Sequence, residues 1–237
     1  MLLGYSVLGG ESVSDIVADF VQITVFKNIG STIGGLSQTV AQCHSQHLDF
    51  VIHPIDYFLS DTRLHCWENN LEELRHMAHI TGNGALIIHD ETTPWGSRLE
   101  RAFEKSYSDG ISELAQICNI SIENATHTPD ILWFWQHFAH NITLDIGHLE
   151  SAGIDSVNFI RNLDNDTIDK INYVHIHQNN GQHLHGVTDH WPLTKECREL
   201  QALKILVERK EDINIIVEIM EREEIADSMR IIKNFLK

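Results

Sequence analysis

His53, His89, Glu123, Asp145, His175 and Glu218 each end a short apolar run. The runs are Phe50-Val51-Ile52-His53, Leu86-Ile87-Ile88-His89, Ile120-Ser121-Ile122-Glu123, Ile142-Thr143-Leu144-Asp145, Tyr173-Val174-His175 and Ile215-Ile216-Val217-Glu218. Imidazole and carboxylate groups that converge on one point make a divalent-metal site. The intervals between them are about 20 to 45 residues, one strand plus one helix each, and in a (β/α)8 barrel every strand opens at its C-terminal end onto one face. Such a barrel gathers three histidines and three acids into a single mouth.

Local spacing supports the same chemistry. Asp145 and His148 are three residues apart where a strand turns into a loop, so both can face one ion. His175 and His177 alternate along a strand and share a face; one of them is expected to reach the centre of the mouth. Oxygen and imidazole donors without thiolate suit zinc, manganese, cobalt or magnesium.

The elements needed to position these groups follow one another in regular alternation. Strands are expected at Leu3–Val7, Val21–Phe26, Asp49–Pro54, Ala85–His89, Asn119–Asn124, Asn141–Asp145, Asn172–His177 and Ile213–Ile219. Helices are expected at Ser12–Phe20, Thr32–His47, Cys66–Ile80, Ser97–Cys118 with a break at Gly110, Asp130–His137, Leu149–Leu163, Glu196–Arg209 and Glu221–Phe235. Trp67, Leu71, Leu74 and Met77 recur at helical spacing. Alternating β and α argues for a parallel sheet, and eight of each favour closure. The fold class is α/β, a single (β/α)8 TIM barrel, with residues 1–237 as one domain.

Composition bounds the function. The chain has 237 residues, 42% hydrophobic and 22% charged, with a formal net charge of −17. That charge disfavours nucleic acid, whose binding relies on Lys and Arg neutralising phosphates. The expected mouth loops, 54–63, 90–98, 124–129 and 178–195, carry only Arg63, Arg98 and Lys195, each at a loop margin. The same scarcity argues against a phosphorylated sugar. Cys43, Cys66, Cys118 and Cys197 form no CxxC pair, as expected of a reduced protein. Met1-Leu2-Leu3-Gly4-Tyr5 has neither a basic stretch nor a long apolar one, and no run approaches a membrane span. A cytoplasmic protein with no membrane partner is the expectation. His44, His47, His65, His76, His79, His127, His137 and His140 fall on helices or short connections and read as ordinary. Trp133 and Trp135 read as helix packing.

Glu123-Asn124, Asp145-Ile146-Gly147-His148, His175-Ile176-His177 and Val217-Glu218 together resemble the metal motifs of the xylose-isomerase-like TIM barrels. That superfamily holds sugar isomerases and epimerases, some dehydratases, and the endonuclease-IV-type AP endonucleases (AP endonuclease family 2). The resemblance covers nearly the whole chain. In the isomerase and epimerase branch it implies one metal held by Glu123, Asp145, His175 and Glu218, with neighbouring histidines or acids on the substrate. In the endonuclease branch it implies three zinc ions on a wider set: His53, His89, Glu123, Asp145, His148, His175, His190 and Glu218. His190-Trp191-Pro192-Leu193 resembles the His-x-Pro-Leu after strand seven. That branch expects Asp two residues before the histidine, whereas Thr188 stands there and Asp189 is next door. The third metal is then lost, or its ligand moves by one residue, or His183 or His185 substitutes.

Two functions follow. The first is a divalent-metal isomerase or epimerase acting on a small sugar or polyol. Proton transfer would run through a metal-stabilised ene-diolate, with Glu123 and Glu218 as base and acid. His53, His89, His148 and Trp191 are its candidate substrate contacts. The second is a multinuclear zinc phosphoesterase related to the AP endonucleases. Ligand count favours the second, charge the first. A dehydratase or lyase would use the same groups, and a non-catalytic barrel fits the ligand set worst. One to three ions per chain are expected, zinc or manganese foremost, with a small-molecule substrate and a homo-oligomer as the form in which such barrels often occur.

Overall fold

Each apolar run becomes a strand whose side chains alternate between the helices outside and the barrel interior. The computed structural model describes residues 1–13, 16–60, 67–125, 130–182 and 188–237. Its strands are β1 (Leu2–Leu8), β2 (Phe20–Phe26), β3 (Asp49–Ile55), β4 (Ala85–His89), β5 (Asn119–Glu123), β6 (Asn141–Asp145), β7 (Ile171–Ile176) and β8 (Asn214–Val217). They pair in chain order, all parallel, and β8 pairs with β1 to close the barrel. The helices are α1 (Gly30–Ser45), α2 (Trp67–Thr81), α3 (Arg101–Leu114), α4 (Ile131–Phe138), α5 (Ile146–Ser151), α6 (Ser156–Asn162), α7 (Asn165–Lys170), α8 (Arg198–Arg209) and α9 (Ile225–Phe235). The (β/α)8 barrel is therefore as the alternation predicts.

The period of two sorts the barrel interior into layers. Phe20, Val51, Ala85, Ile87 and Ile216 pack together at the bottom against Tyr173. Above them lies a polar layer, in which the hydroxyls of Ser6 and Thr24 meet at 2.8 Å and those of Ser121 and Thr143 at 2.7 Å. His53, His89, Glu123, Asp145, His175 and Glu218 stand two residues beyond Val51, Ile87, Ser121, Thr143, Tyr173 and Ile216. Register aligns them: His89 pairs with Glu123, and Asp145 with His175. The outward side chains and the helices form a separate, larger apolar core.

Three expected helices differ from what is observed. The described part of Ser12–Phe20 is not helical; side chains of α1 and its C-cap take up its backbone instead, with Val13 N–H donating to Gln42 Oε1 and Gln46 Nε2 donating to Val13 O, both at 2.7 Å. Helix α3 is shorter than Ser97–Cys118, since Thr93 and Ser97 tie residues 93–97 into a turn instead. Gly110 does not break it; a Cβ there would lie 3.2 Å from Leu59, so the glycine is a packing site. The stretch Leu149–Leu163 and its continuation resolve into α5, α6 and α7. Each is started by an aspartate, Asp145, Asp155 or Asp164, whose carboxylate accepts a backbone N–H. No helix of the described residues is long and apolar enough to cross a membrane.

Leu203 on α8 is fully buried in the outer core. Replacing it with Ala should destabilise the barrel by about 2–5 kcal/mol through lost burial and the cavity left behind. Chemical denaturation should show a lower midpoint with an unchanged slope.

Candidate metal centre

Glu123 ends β5 with no exposure, and neither carboxylate oxygen has a hydrogen-bond partner among the described residues. The same holds for Nδ1 of His175 on β7. That nitrogen stands 3.1 Å from Glu123 Oε1, 3.1 Å from Glu218 Oε2 and 3.7 Å from Asp145 Oδ2. Buried polar atoms are normally paired, and buried carboxylates need a cation. Three acids around one imidazole nitrogen, with orphaned atoms facing inward, fit a divalent ion in donor chemistry and in count.

Two further histidines approach Glu123 from the other side. His53 Nε2 is 3.3 Å and His89 Nε2 3.8 Å from Oε2, with the two rings 4.9 Å apart. Ligand atoms of His53, Glu123, His175 and Glu218 all lie within 4.8 Å of one another, as do those of Glu123, Asp145 and His148. Asp145 does two jobs. Its Oδ1 accepts His148 N–H at 2.6 Å as the cap of α5, which turns the His148 ring back toward the mouth. Its Oδ2 stands 3.5 Å from His148 Nδ1. Asn124 pins Asp145 by accepting its N–H at 2.8 Å and donating to its carbonyl at 2.9 Å.

The histidines are oriented through their second ring nitrogen, as ligating histidines are. Nδ1–H of His53 donates to Ile87 O, that of His148 to Asn124 O and that of His190 to Glu218 O, at 3.0, 3.0 and 2.9 Å. For His53 this leaves Nε2 facing the Glu123 carboxylate, 3.3 Å from Oε2, whereas His148 keeps Nδ1 itself 3.6 Å from Glu123 Oε1. His190 holds φ +60, a left-handed conformation unusual for a side-chain-bearing residue. It is kept there by its own N–H on His177 Nδ1 at 2.9 Å and by the Glu218 carbonyl.

His177 was not among the residues singled out from sequence as ligand or contact. Both His175 and His177 are fully buried, and ligand atoms of His148, His177 and His190 also lie within 4.8 Å of one another. Because Nδ1 of His177 accepts a backbone N–H, its proton sits on Nε2, 3.2 Å from Asp145. That makes His177 a holder of Asp145 and His190. Gly147 makes room for it: a Cβ there would come within 2.1 Å of the ring. The strand alternation His175-x-His177 was the available signal. Asp189 turns its Oδ2 to the Ser151 hydroxyl at 3.1 Å, leaving Oδ1 4.0 Å from His190 Nε2. Trp191 is half-buried, pairing its backbone with Gln178 and giving its indole N–H to Gln182 O at 2.9 Å. His183, His185 and Arg63 fall outside the described residues, as do His65, Cys66 and His127.

Burial and charge pull the titrations apart. Burial alone would raise Glu123, but the imidazoles of His175, His53 and His89 hold it below the usual carboxylate range. Asp145 and Glu218 are held down in the same way by His148 and by His175. Burial opposes the charged form of His175, yet Glu123 and Glu218 push it well above its ordinary value. His148 is raised to about 9 against burial, chiefly by Asp145 and Glu123. His89 is lowered to about 4, mainly by burial.

An ion that takes the place of the His175 proton must displace it. Because that pKa is raised, the proton is held through neutral pH, so binding weakens as pH falls and strengthens as pH rises. Chelator-competition titrations from pH 6 to 9 should show zinc affinity climbing with pH, with proton release on binding seen in weakly buffered solution. A flat profile contradicts the assignment of His175.

No protein-family model matches the sequence, and no curated protein matches it. Solved structures do. The chain is similar to an IolI protein with a bound zinc atom, at TM-score 0.68 and 14% identity over 99% of this chain and 96% of that one. It is similar to a D-allulose 3-epimerase from Methylomonas sp., at TM-score 0.65 and 13% identity over 100% and 96%. A xylose isomerase-like TIM barrel/4-hydroxyphenylpyruvate dioxygenase fusion protein matches at TM-score 0.67 and 13% identity over 98% of this chain and 42% of that one, so the chain spans less than half of the fusion. Joined to the closed parallel barrel and its mouth of acids and histidines, these likenesses show that the chain has the fold of the xylose isomerase-like TIM barrels.

Proposed function

We propose that the protein is a divalent-metal-dependent isomerase or epimerase of a small, uncharged sugar or polyol. The observation that carries this reading is the buried set Glu123, Asp145, His175 and Glu218, with the Glu123 carboxylate and His175 Nδ1 lacking hydrogen-bond partners among the described residues. A bound zinc or manganese ion would supply a Lewis acid for adjacent substrate oxygens.

The protein's own groups would do the rest. Glu123 and Glu218 stand on either side of His175 Nδ1, each 3.1 Å from it. One carboxylate takes the proton from the carbon beside the carbonyl, and the C–H electron pair moves toward the carbonyl oxygen. The other, ionised at rest, takes a proton from solvent water and delivers it to carbon as the electron pair returns from oxygen; the first gives its proton back to solvent, so both are restored and the product is set. Carboxylates held below their usual range are ionised at neutral pH, as a base must be. His53 and His89, with Nε2 turned inward, would hold substrate hydroxyls. Among the described residues of the expected mouth loops, Arg98 is already engaged, pairing with Asp130 at 3.6 Å and lying over the Trp133 ring at 4.2 Å.

Glu123→Gln and Glu218→Gln should each slow exchange of the substrate α-proton with solvent deuterium by roughly 10²–10⁴-fold, followed by NMR on a panel of ketoses and aldoses. Undiminished exchange in both variants rejects the mechanism.

A second reading, a multinuclear zinc phosphoesterase, draws on the convergence of His53, His89, His148 and His190. Elemental analysis of untagged protein prepared without chelator separates the two. One ion per chain supports the isomerase or epimerase. Two or three, with phosphodiesterase activity lost in the His53→Ala/His89→Ala double variant, support the phosphoesterase.

A further inference from the structure

Gln22 belongs to none of the residues that sequence spacing brings to notice, yet it touches two of the candidate ligands. It lies on β2, fully buried, with its side chain in the polar layer below the mouth. Its Oε1 is 2.7 Å from His175 Nε2, and its Nε2 donates to Glu218 Oε1 at 2.9 Å. The amide therefore crosses the barrel interior and joins β2 to β7 and to the end of β8.

The sense of the amide follows from its partners. An ionised carboxylate only accepts hydrogen bonds, so the NH2 group must face Glu218. Oε1 is then left facing His175 Nε2, and that nitrogen must carry the hydrogen. A neutral imidazole has one N–H, so the lone pair falls on Nδ1, the atom directed at Glu123, Glu218 and Asp145. The spare amide hydrogen faces Ser6 Oγ at 3.4 Å and Thr24 Oγ1 at 3.5 Å. No other side chain of this size does both tasks. Glu would set a second negative charge against Glu218, Lys has no acceptor, and Met or Leu has neither function.

His175 is set apart by this arrangement. His53, His148 and His190 are anchored through Nδ1 by backbone carbonyls, which no side-chain substitution removes. His175 is anchored through Nε2, and by a side chain. We propose that Gln22 is the positioning residue of the metal centre: through one amide it selects the Nδ1-ligating form of His175 and fixes the Glu218 carboxylate beside it. This rests on the reading of Glu123, Asp145, His175 and Glu218 as metal ligands. Gln22 itself touches neither ion nor substrate.

The test uses the whole chain and two probes, zinc for affinity and cobalt(II) for its visible absorption. Gln22→Met keeps the volume and removes both hydrogen bonds. Gln22→Asn keeps an amide in the polar layer but is one methylene too short to reach both partners, and it serves if the first variant does not fold. Ser121→Ala, in the same layer but hydrogen-bonded to Thr143 and not to Gln22, His175 or Glu218, is the control. Loss of an outer-shell partner should weaken zinc binding about 10–100-fold in both Gln22 variants and alter the cobalt spectrum. The metal-free proteins should unfold near the wild-type temperature, and Ser121→Ala should bind like wild type. If wild type binds tightly and both Gln22 variants match it in affinity and spectrum, the relay is overturned and the metal centre stands. If Ser121→Ala loses as much affinity as Gln22→Met, the effect belongs to the layer as a whole and the assignment to Gln22 is overturned. If wild-type protein binds neither ion, the metal reading falls and takes the relay with it.

Discussion

Three carboxylates buried in one barrel mouth set the terms for everything around them. Two like charges 4 Å apart repel by about 4 kcal/mol at the effective dielectric of a protein, and Glu123, Asp145 and Glu218 all crowd the one imidazole of His175. Such a cluster survives burial only with positive charge among it. Histidines on neighbouring strands can supply protons for that purpose, and a divalent ion supplies more charge in less space. The depressed acids and raised His175 and His148 are the same fact expressed in proton binding.

The barrel is built to hold that cluster still. Period-two alternation stacks an apolar plug, a layer of hydroxyls and one amide, and then the ligand ring. Each layer stiffens the one above it. The plug excludes water from below, and the polar layer gives the acids and imidazoles donors and acceptors at their backs. Asp145 shows how tightly element and site are joined, since one carboxylate starts α5, directs His148 and faces His175. Gly147 and the left-handed His190 are the backbone features that accommodate the His177 ring.

Much of this was legible beforehand. Apolar runs ending in His or acid, spaced by one strand and one helix, lead directly to the barrel and to a shared mouth for His53, His89, Glu123, Asp145, His175 and Glu218. Helix ends were harder to read. The Ser12–Phe20 segment has helical composition, but Gln42 of α1 and Gln46 at its C-cap compete for its backbone, and a distant side chain leaves no local trace. The stretch Leu149–Leu163 is expected as one helix, but Asp155 within it and Asp145 and Asp164 on its flanks each cap a separate short helix.

The sequence by itself determined the parallel barrel and which face gathers the acids and histidines, because hydrophobic period and element length are local properties that survive without knowledge of the fold. Tertiary structure alone decided the rest. Gln22 meets His175 and Glu218 only because the sheet closes, and His177 reaches Asp145 and His190 in a space that a side chain at Gly147 would fill. Which nitrogen of each ring faces inward depends on a carbonyl or amide contributed by another strand. Those contacts come from residues far apart in the chain, and no spacing rule along one strand encodes them.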